Sequence, residues 1–209
     1  MNNIDWNKIF SYYNSIKKLY IECEETDPDL KTNLQPLNEF RAALDYLMRI
    51  VAIEKIDEYK SEDADLQADK LLSHLRRAFY DICDMLSVNY RNKIVDALEN
   101  YSSENITAAL PNYYSEIRPD IEELSNRIAK LRLDNGFNKA DEENHIQCYM
   151  EIINKLKEYY QQIIKVTPSL EELKKREKTT KRKNIITQYI IPIVSVVVAV
   201  VSIIIGVCV

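Results

Sequence analysis

Glycine is almost absent from this chain, which has two in 209 residues. Gly206 falls in an apolar C-terminal run, so Gly136 is the one glycine of the polar remainder. Phosphate-binding loops and dinucleotide-binding turns need two or three glycines at fixed spacing, and tight β-hairpins depend on glycine for positive φ. The sequence therefore predicts an all-α protein, and we expect no cofactor.

A run of twenty uncharged residues, 190–209, follows the polar part of the sequence and contains six Ile and eight Val. A helix of this length spans roughly 30 Å, the hydrocarbon thickness of a bilayer. We predict one C-terminal transmembrane helix over residues 185–209, with Tyr189 at the level of the headgroups.

Basic residues dominate the segment just before this run, where seven of the eight charged residues between 174 and 183 are Lys or Arg. Positive charge beside a span keeps that flank in the cytoplasm and attracts anionic lipid headgroups. We expect a tail-anchored protein of the inner (plasma) membrane with a cytoplasmic N-terminal domain, and we favour a topology signal as the role of these residues. They are Lys174, Lys175, Arg176, Lys178, Lys181, Arg182 and Lys183, called the basic belt below.

The rest of the chain is acidic. Residues 1–173 contain 21 basic and 32 acidic side chains, a net charge of −11. This charge disfavours binding of duplex nucleic acid. Four isolated cysteines and two histidines indicate neither a metal site nor a disulfide framework. Because no motif supplies a nucleophile, a base or a metal, we do not expect an enzyme.

Apolar residues recur at spacings of three and four along most of the chain, which predicts helices. We expect an antiparallel helical bundle in the cytosol (1–166), a basic juxtamembrane stalk (167–184) and the transmembrane helix (185–209). Ser61 is the expected cap of the third helix, Gly136 the expected end of the fourth, and Thr167 with Pro168 the expected start of the last. The predicted helices cover about 4–25, 37–59, 61–98, 121–133 and 146–163, with short pieces between 101 and 120.

Charged residues at helical spacing form two ladders that are the candidate functional residues, namely Arg41, Asp45 and Arg49 on the second helix and His74, Arg77, Asp81 and Asp84 on the third. If the two ladders face each other, they would form a buried ion-pair network or a basic pocket for a nucleotide or oligonucleotide, with Tyr46 or Tyr80 available for stacking. We favour the simpler interpretation, helix-stabilising ion pairs Arg41–Asp45 and Arg77–Asp81. The candidate ligand-binding residues are Arg41, Arg49, His74, Arg76, Arg77 and Tyr80.

The segments FRAALDYL at 40–47 and HLRRAFYD at 74–81 resemble the two central helices of HEPN-type helical domains, over about residues 37–100. That resemblance implies a helical module of the kind found in bacterial antiviral and toxin operons. The catalytic motif of the family, an Arg followed after four to six residues by His, is missing before both His74 and His145. RNase activity is therefore not implied; an RNase relative would lose RNA cleavage in His74→Ala.

Small residues lie on one stripe of the predicted membrane helix, at spacings of 4, 3 and 4. Such a stripe favours close helix approach, so we expect a homo-oligomer assembled through this helix. The stripe consists of Ser195, Ala199, Ser202 and Gly206.

These expectations lead to two functional hypotheses. The first is a tail-anchored membrane effector of bacterial antiviral defence, similar to those of abortive-infection systems, in which the bundle senses a signal and the membrane helices permit ion flux. The alternative is a non-catalytic adaptor or tether whose bundle binds a partner protein, for example one encoded in the same operon.

Overall fold

The computed structural model describes residues 4–27, 34–133 and 142–198, and every regular element in these ranges is helical. The all-α class and the helical bundle are therefore confirmed. Short 3₁₀ or π-helical turns lie at Asp57–Tyr59, Tyr113–Ile117 and Ile186–Ile190. The longer elements are α1 (Trp6–Thr26), α2 (Leu34–Lys55), α3 (Ala64–Leu98), α4 (Ser103–Ala109), α5 (Arg118–Leu133) and α6 (Glu142–Ile185).

Aspartate side chains begin two of the long helices. Asp5 accepts a hydrogen bond from the backbone N–H of Lys8 at 2.9 Å, and Asp63 accepts from the N–H groups of Asp65 and Leu66. Each carboxylate satisfies N–H groups that have no partner within the helix and lies at the positive end of the helix dipole. The expected cap of α3, Ser61, is therefore wrong, because Asp63 performs this role.

α3 is the central helix, and α1, α2 and α6 all pack against it. Its buried residues cover more than one face, which allows one helix to contact three neighbours. α2 ends at Lys55 rather than near Tyr59, and the 3₁₀ turn follows it. The fully buried core side chains include Ile16, Ile50, Phe79, Ile82, Leu86, Ile94, Ile152, Leu156, Ile163 and Leu170.

The segment between α3 and α5 consists of short pieces, as its sequence predicts. Ser102 caps α4 by accepting from the N–H of Asn105 at 3.3 Å, and a π-helical turn leads into α5. Pro119 lies where this turn passes into α5, next to Arg118, whose N–H bonds to the carbonyl of Tyr113.

The predicted helix start at Thr167 and Pro168 is wrong, because α6 continues through both residues. Thr167 Oγ1 donates to the carbonyl of Ile163 at 3.1 Å, so the hydroxyl bonds back within the helix instead of capping a new one. Ile163 and Leu170, two turns apart on one face, are both fully buried. Their packing maintains the helix past Pro168, and the predicted domain boundary at 166/167 falls inside α6.

Helical structure continues from α6 through Ile186–Ile190 to Val198, the last residue described before the C-terminus. Within the described ranges, no helix is both long and apolar enough to cross a bilayer. Ile190–Val198 is the part of the predicted membrane run that the structure describes. Ala199, Ser202 and Gly206 of the small-residue stripe, and the predicted helix end at Gly136, lie outside the described residues.

Candidate functional site

A three-residue polar cluster joins α2 to α3. His74 Nδ1 lies 2.7 Å and Arg77 Nε 2.9 Å from the same carboxylate oxygen of Glu39, Oε2. His74 Nδ1 also lies 2.7 Å from Arg77 Nη2, so this nitrogen donates to the carboxylate in one tautomer of the ring and accepts from the guanidinium in the other. Arg77 Nη1 also donates to Ser73 Oγ at 3.3 Å. The two ladders thus face each other, but through a glutamate that neither ladder contains.

Burial and hydrogen bonding act in opposite directions on Glu39. Partial burial alone would raise the pKa of this carboxyl, but the hydrogen bonds from Arg77 and His74 hold the pKa below its usual range. The Glu39 side chain is 23% exposed, and that of His74 is 20% exposed. The cluster therefore joins the two helices at a carboxylate and an imidazole of limited solvent access, whereas the Arg77 side chain is half exposed.

Tyr46 of α2 covers the other side of His74. The two rings stack with centroids 5.2 Å apart and an interplanar angle of 23°. Arg49 and Lys70 place their cationic groups 5.4 and 5.6 Å from the Tyr46 ring centre. Stacking on Tyr46 thus takes place, but with His74 of the same chain as its partner.

A cleft of about 320 Å³ lies next to this cluster, where α3, α5 and α6 meet. Arg132 of α5 contacts Asp84 of α3, with Nε 2.7 Å from Oδ2, and the rings of Tyr80 and Tyr149 lie 5.5 Å apart. The cleft is lined by Ser73, Arg76, Arg77, Tyr80, Asp81, Asp84, Leu131, Arg132, His145 and Tyr149.

Burial also shifts pKa values inside this cleft. It raises the pKa of the Asp81 carboxyl, and the negative charges of Glu39 and Asp84 raise it further. It also raises the pKa of the Tyr149 phenol, with Asp84 adding to the effect. The Tyr149 phenol therefore remains a hydrogen-bond donor at neutral pH, and the Asp81 carboxyl binds a proton more readily than an aspartate in water does.

The charges of the cleft nearly cancel. Three arginines face two aspartates, and Arg77 is shared with Glu39. These residues do not form a strongly basic pocket of the kind that binds a polyanion. They suit a small polar ligand held by several hydrogen bonds. Among the described residues, no group of His, Cys, Asp and Glu could hold a metal ion.

The predicted ion pairs differ from those observed. Asp45 pairs with Arg49, whose Nη2 lies 3.0 Å from Oδ2, rather than with the predicted Arg41. Arg77 reaches Glu39 across the helix interface rather than pairing with Asp81 on its own helix. Helical spacing identifies partners on the same helix, whereas Glu39, Arg132 and the other partners across an interface have no spacing signal.

The six candidate ligand-binding residues fall into three places. Arg76, Arg77 and Tyr80 line the cleft. His74 and Arg49 both contact the ring of Tyr46, next to the cleft. Arg41 lies elsewhere, in a groove between α1 and α2. The structure thus brings five of the six near one another and separates Arg41 from them.

The basic belt lies along the exposed part of α6. Arg176 pairs with Glu172, and Lys181 with Glu177, one turn away on the same helix. Lys174 lies 5.0 Å from the ring centre of Tyr101. The remaining members are exposed at the surface of α6, and they are Lys175, Lys178, Arg182 and Lys183.

Comparisons with protein-family models, with curated proteins and with solved structures find no match to this chain. The HEPN-type resemblance thus stays a prediction from the two helical segments.

Proposed function

We propose that this protein is a tail-anchored, oligomeric membrane effector in which α6 transmits a signal received by the bundle to an apolar membrane segment. The observation that carries the proposal is the unbroken helical course from Glu142 to Val198. Its first part packs in the core at Ile152, Leu156 and Ile163, and its last described residues belong to the Ile- and Val-rich run. A stiff helix couples movement at one end to the other, as a flexible linker does not.

Contacts from α4 and from Tyr101, just before α4, support this coupling. Asn105 Nδ2 donates to Glu177 Oε2 at 2.7 Å, and Tyr101 Oη donates to Glu171 Oε1 at 2.5 Å. These contacts, called the α4 clamp below, attach α6 to the bundle as far as Glu177, inside the basic belt. A change in the bundle that shifts α4 would therefore shift the helix just before the membrane segment.

The charge distribution supports an anchored topology with anionic lipids as partners. The exposed lysines and arginines of the belt follow the last core residue, Leu170, and precede the apolar run. An acidic bundle is repelled by an anionic surface, whereas the belt is attracted to it. The bundle would stand off the membrane on α6, with the belt at the headgroups.

The trigger in this proposal is a small ligand of the cleft, for which a nucleotide is one candidate and a signal from an operon partner another. The placement in bacterial antiviral defence rests on the HEPN-type resemblance and on the combination of helical sensor and single span. Ser195 Oγ donates to the carbonyl of Ile191 at 2.9 Å. This bond leaves the hydroxyl oxygen able to accept from a neighbouring helix in the proposed oligomer.

Membrane potential in bacterial cells tests the effector. Expression of the protein, with phage infection supplying the trigger, should depolarise the cells as read by a potential-sensitive dye. Gly206→Ile should abolish this effect while leaving the protein in the membrane fraction. Unchanged potential and growth in all these conditions would contradict the proposal.

The adaptor or tether is the second candidate, and a separate observation favours it. A groove of about 1130 Å³ between α1 and α2 exposes large apolar side chains such as Trp6, Phe10 and Leu44. Exposed apolar side chains clustered in one groove are a feature of protein-binding sites. Replacing residues 190–209 with a polyleucine helix distinguishes the two hypotheses, because a tether would retain its activity and an effector would lose it.

A further inference from the structure

Helix α2 exposes a second apolar stripe in addition to the face that it buries. Leu34, Leu44 and Met48 are 66%, 57% and 57% exposed. Together with the other members of the stripe they recur at spacings of 3, 4, 3, 4 and 3, the repeat by which one helix packs along another. The α2 stripe consists of Leu34, Leu37, Arg41, Leu44, Met48 and Val51.

The bundle does not use this stripe. α2 packs on α3 through a different face, where Ala43, Ile50 and Ile53 are buried. Five of the six positions of the α2 stripe are large apolar side chains, and all five are exposed. The inner edge of the stripe forms one wall of the groove described above, and α1 provides the other wall with Trp6, Phe10 and Tyr13.

We propose that a second copy of this chain covers the groove, with the two α2 helices antiparallel about a two-fold axis between residues 42 and 43. In this register Leu34 faces Val51 of the other copy, Leu37 faces Met48, and Arg41 faces Leu44. The spacing pattern reads the same in both directions, so each member of the stripe meets a member of the other stripe. A two-fold interface requires this self-complementarity.

Arg41, the one charged member of the stripe, determines the direction. In a parallel pair each Arg41 would face its own copy, and the two like charges would repel. In the antiparallel pair, Arg41 faces Leu44 of the other copy and thus lies beside Asp45, the next residue. Asp45 is 61% exposed and accessible to a second cation besides Arg49. The interface therefore gains two symmetric Arg41–Asp45 pairs and has no charge opposite a like charge in the stripe.

The α1 side chains complete the interface. A helix laid along the α2 stripe also covers the neighbouring wall of the groove, where Phe10 is 63% exposed. Each copy would contribute α1 and α2 to a four-helix contact of the kind that stable dimers bury. This interface lies in the bundle and is separate from the membrane stripe, so it goes beyond the proposed function and does not depend on it.

A charge exchange tests the pairing and its register. The full chain in detergent, carrying Ala199→Ile and Gly206→Ile to remove the membrane stripe, is prepared with two different tags. Arg41→Asp alone places two acidic groups together at each contact, and Asp45→Arg alone places two basic groups together. Each substitution should weaken self-association by about tenfold or more. A mixture of the two variants restores both opposite-charge pairs, and mixed dimers should form with near wild-type affinity.

Lys130→Asp is the matched control, because it makes the same change of charge at an exposed position on α5, outside the helices of the proposed interface. It should leave self-association unchanged, and circular dichroism should show all variants equally helical. Leu44→Asp should abolish pairing. Three results would each overturn the proposal: a monomeric parent chain, unchanged self-association in Arg41→Asp or Leu44→Asp, or a mixture of the charge variants that forms no mixed dimers. With a monomeric parent chain, a different protein would be the occupant of the groove. The measurement of membrane potential tests the effector and does not depend on these results. Failure of the effector proposal can therefore be distinguished from failure of the α2 interface.

Discussion

His74 on α3 and Glu39 on α2 form a hydrogen bond of 2.7 Å that connects the two helices through side chains 35 positions apart in the sequence. Arg77 shares the same carboxylate oxygen at 2.9 Å. One acidic group thus holds two side chains that sequence spacing places on one face of α3. The nearby cleft consequently has little excess positive charge, which bears directly on what it can bind.

Glu39→Gln should lower the free energy of unfolding by about 1 kcal/mol, because His74 and Arg77 lose their charged acceptor. The folded pKa of Glu39 is depressed, so its stabilisation is present above the unfolded pKa and is lost as pH falls through the folded value. Urea unfolding between about pH 6 and pH 3 should show the difference from wild type shrinking below about pH 4.3, the usual Glu value. Glu54→Gln, on the exposed side of α2, is the control; a difference independent of pH would contradict this role.

A second polar junction, which is partly buried, joins α1, α3 and α6. Glu22 Oε1 accepts from Tyr90 Oη at 2.5 Å and from Lys157 Nζ at 2.7 Å. Burial raises the pKa of the Tyr90 phenol, and its bond to Glu22 raises it further, so the hydroxyl remains a donor at neutral pH. Tyr90→Phe should cost about 1–2 kcal/mol of unfolding free energy, as measured by urea denaturation. Tyr114→Phe, an exposed change of the same kind, should cost much less; equal costs would show that the junction contributes nothing.

Pro168 interrupts the hydrogen bonding of a helix that otherwise continues. The position is exposed, so Pro168→Ala removes no core contact and restores an N–H donor to the carbonyl of Ile164. We expect the free energy of unfolding to rise by about 1–3 kcal/mol. Lys165→Ala, on the same exposed turn, provides the comparison. Destabilisation by Pro168→Ala would indicate that the helix is not continuous there.

The α4 clamp should control the local stability of α6. Asn105→Ala removes the bond to Glu177 and should increase amide hydrogen exchange over residues 170–178 about fivefold, without a matching change in α3. Thr107→Ala changes the exposed side of the same helix and should leave exchange over this segment unaltered. Equal exchange in the two variants would show that α4 does not restrain the helix before the basic belt.

Local pattern predicted the helices where a strong seam and a capping residue agree. α3 follows its seam of Leu71, Leu75, Ala78 and Ile82 to Leu98, because these side chains fill the centre of the bundle. α6 is the opposite case. Thr167 and Pro168 are favourable at a helix start, but burial of Ile163 and Leu170 on one face outweighs that local preference.

The candidate site was less accessible to prediction from sequence. Spacing placed His74 and Arg77 on one face correctly, but it could not reveal Glu39 or Arg132, because partners across an interface are chosen by tertiary packing. The exposed α2 stripe was hidden for a similar reason. Leu44 and Ala43 follow one another in the sequence, and only the packed bundle distinguishes the side chain that faces solvent from the one that faces α3.

Membrane potential measured on a matched pair of variants tests most directly whether α6 transmits a signal to the membrane. Thr179→Gly with Thr180→Gly weakens the helix between the α4 clamp and the apolar run, whereas Thr179→Ala with Thr180→Ala strengthens it at the same exposed positions. In infected cells with equal amounts of each variant in the membrane fraction, we predict depolarisation with the alanine pair and its loss with the glycine pair. Equal depolarisation by both, or by neither, would contradict transmission through a continuous helix.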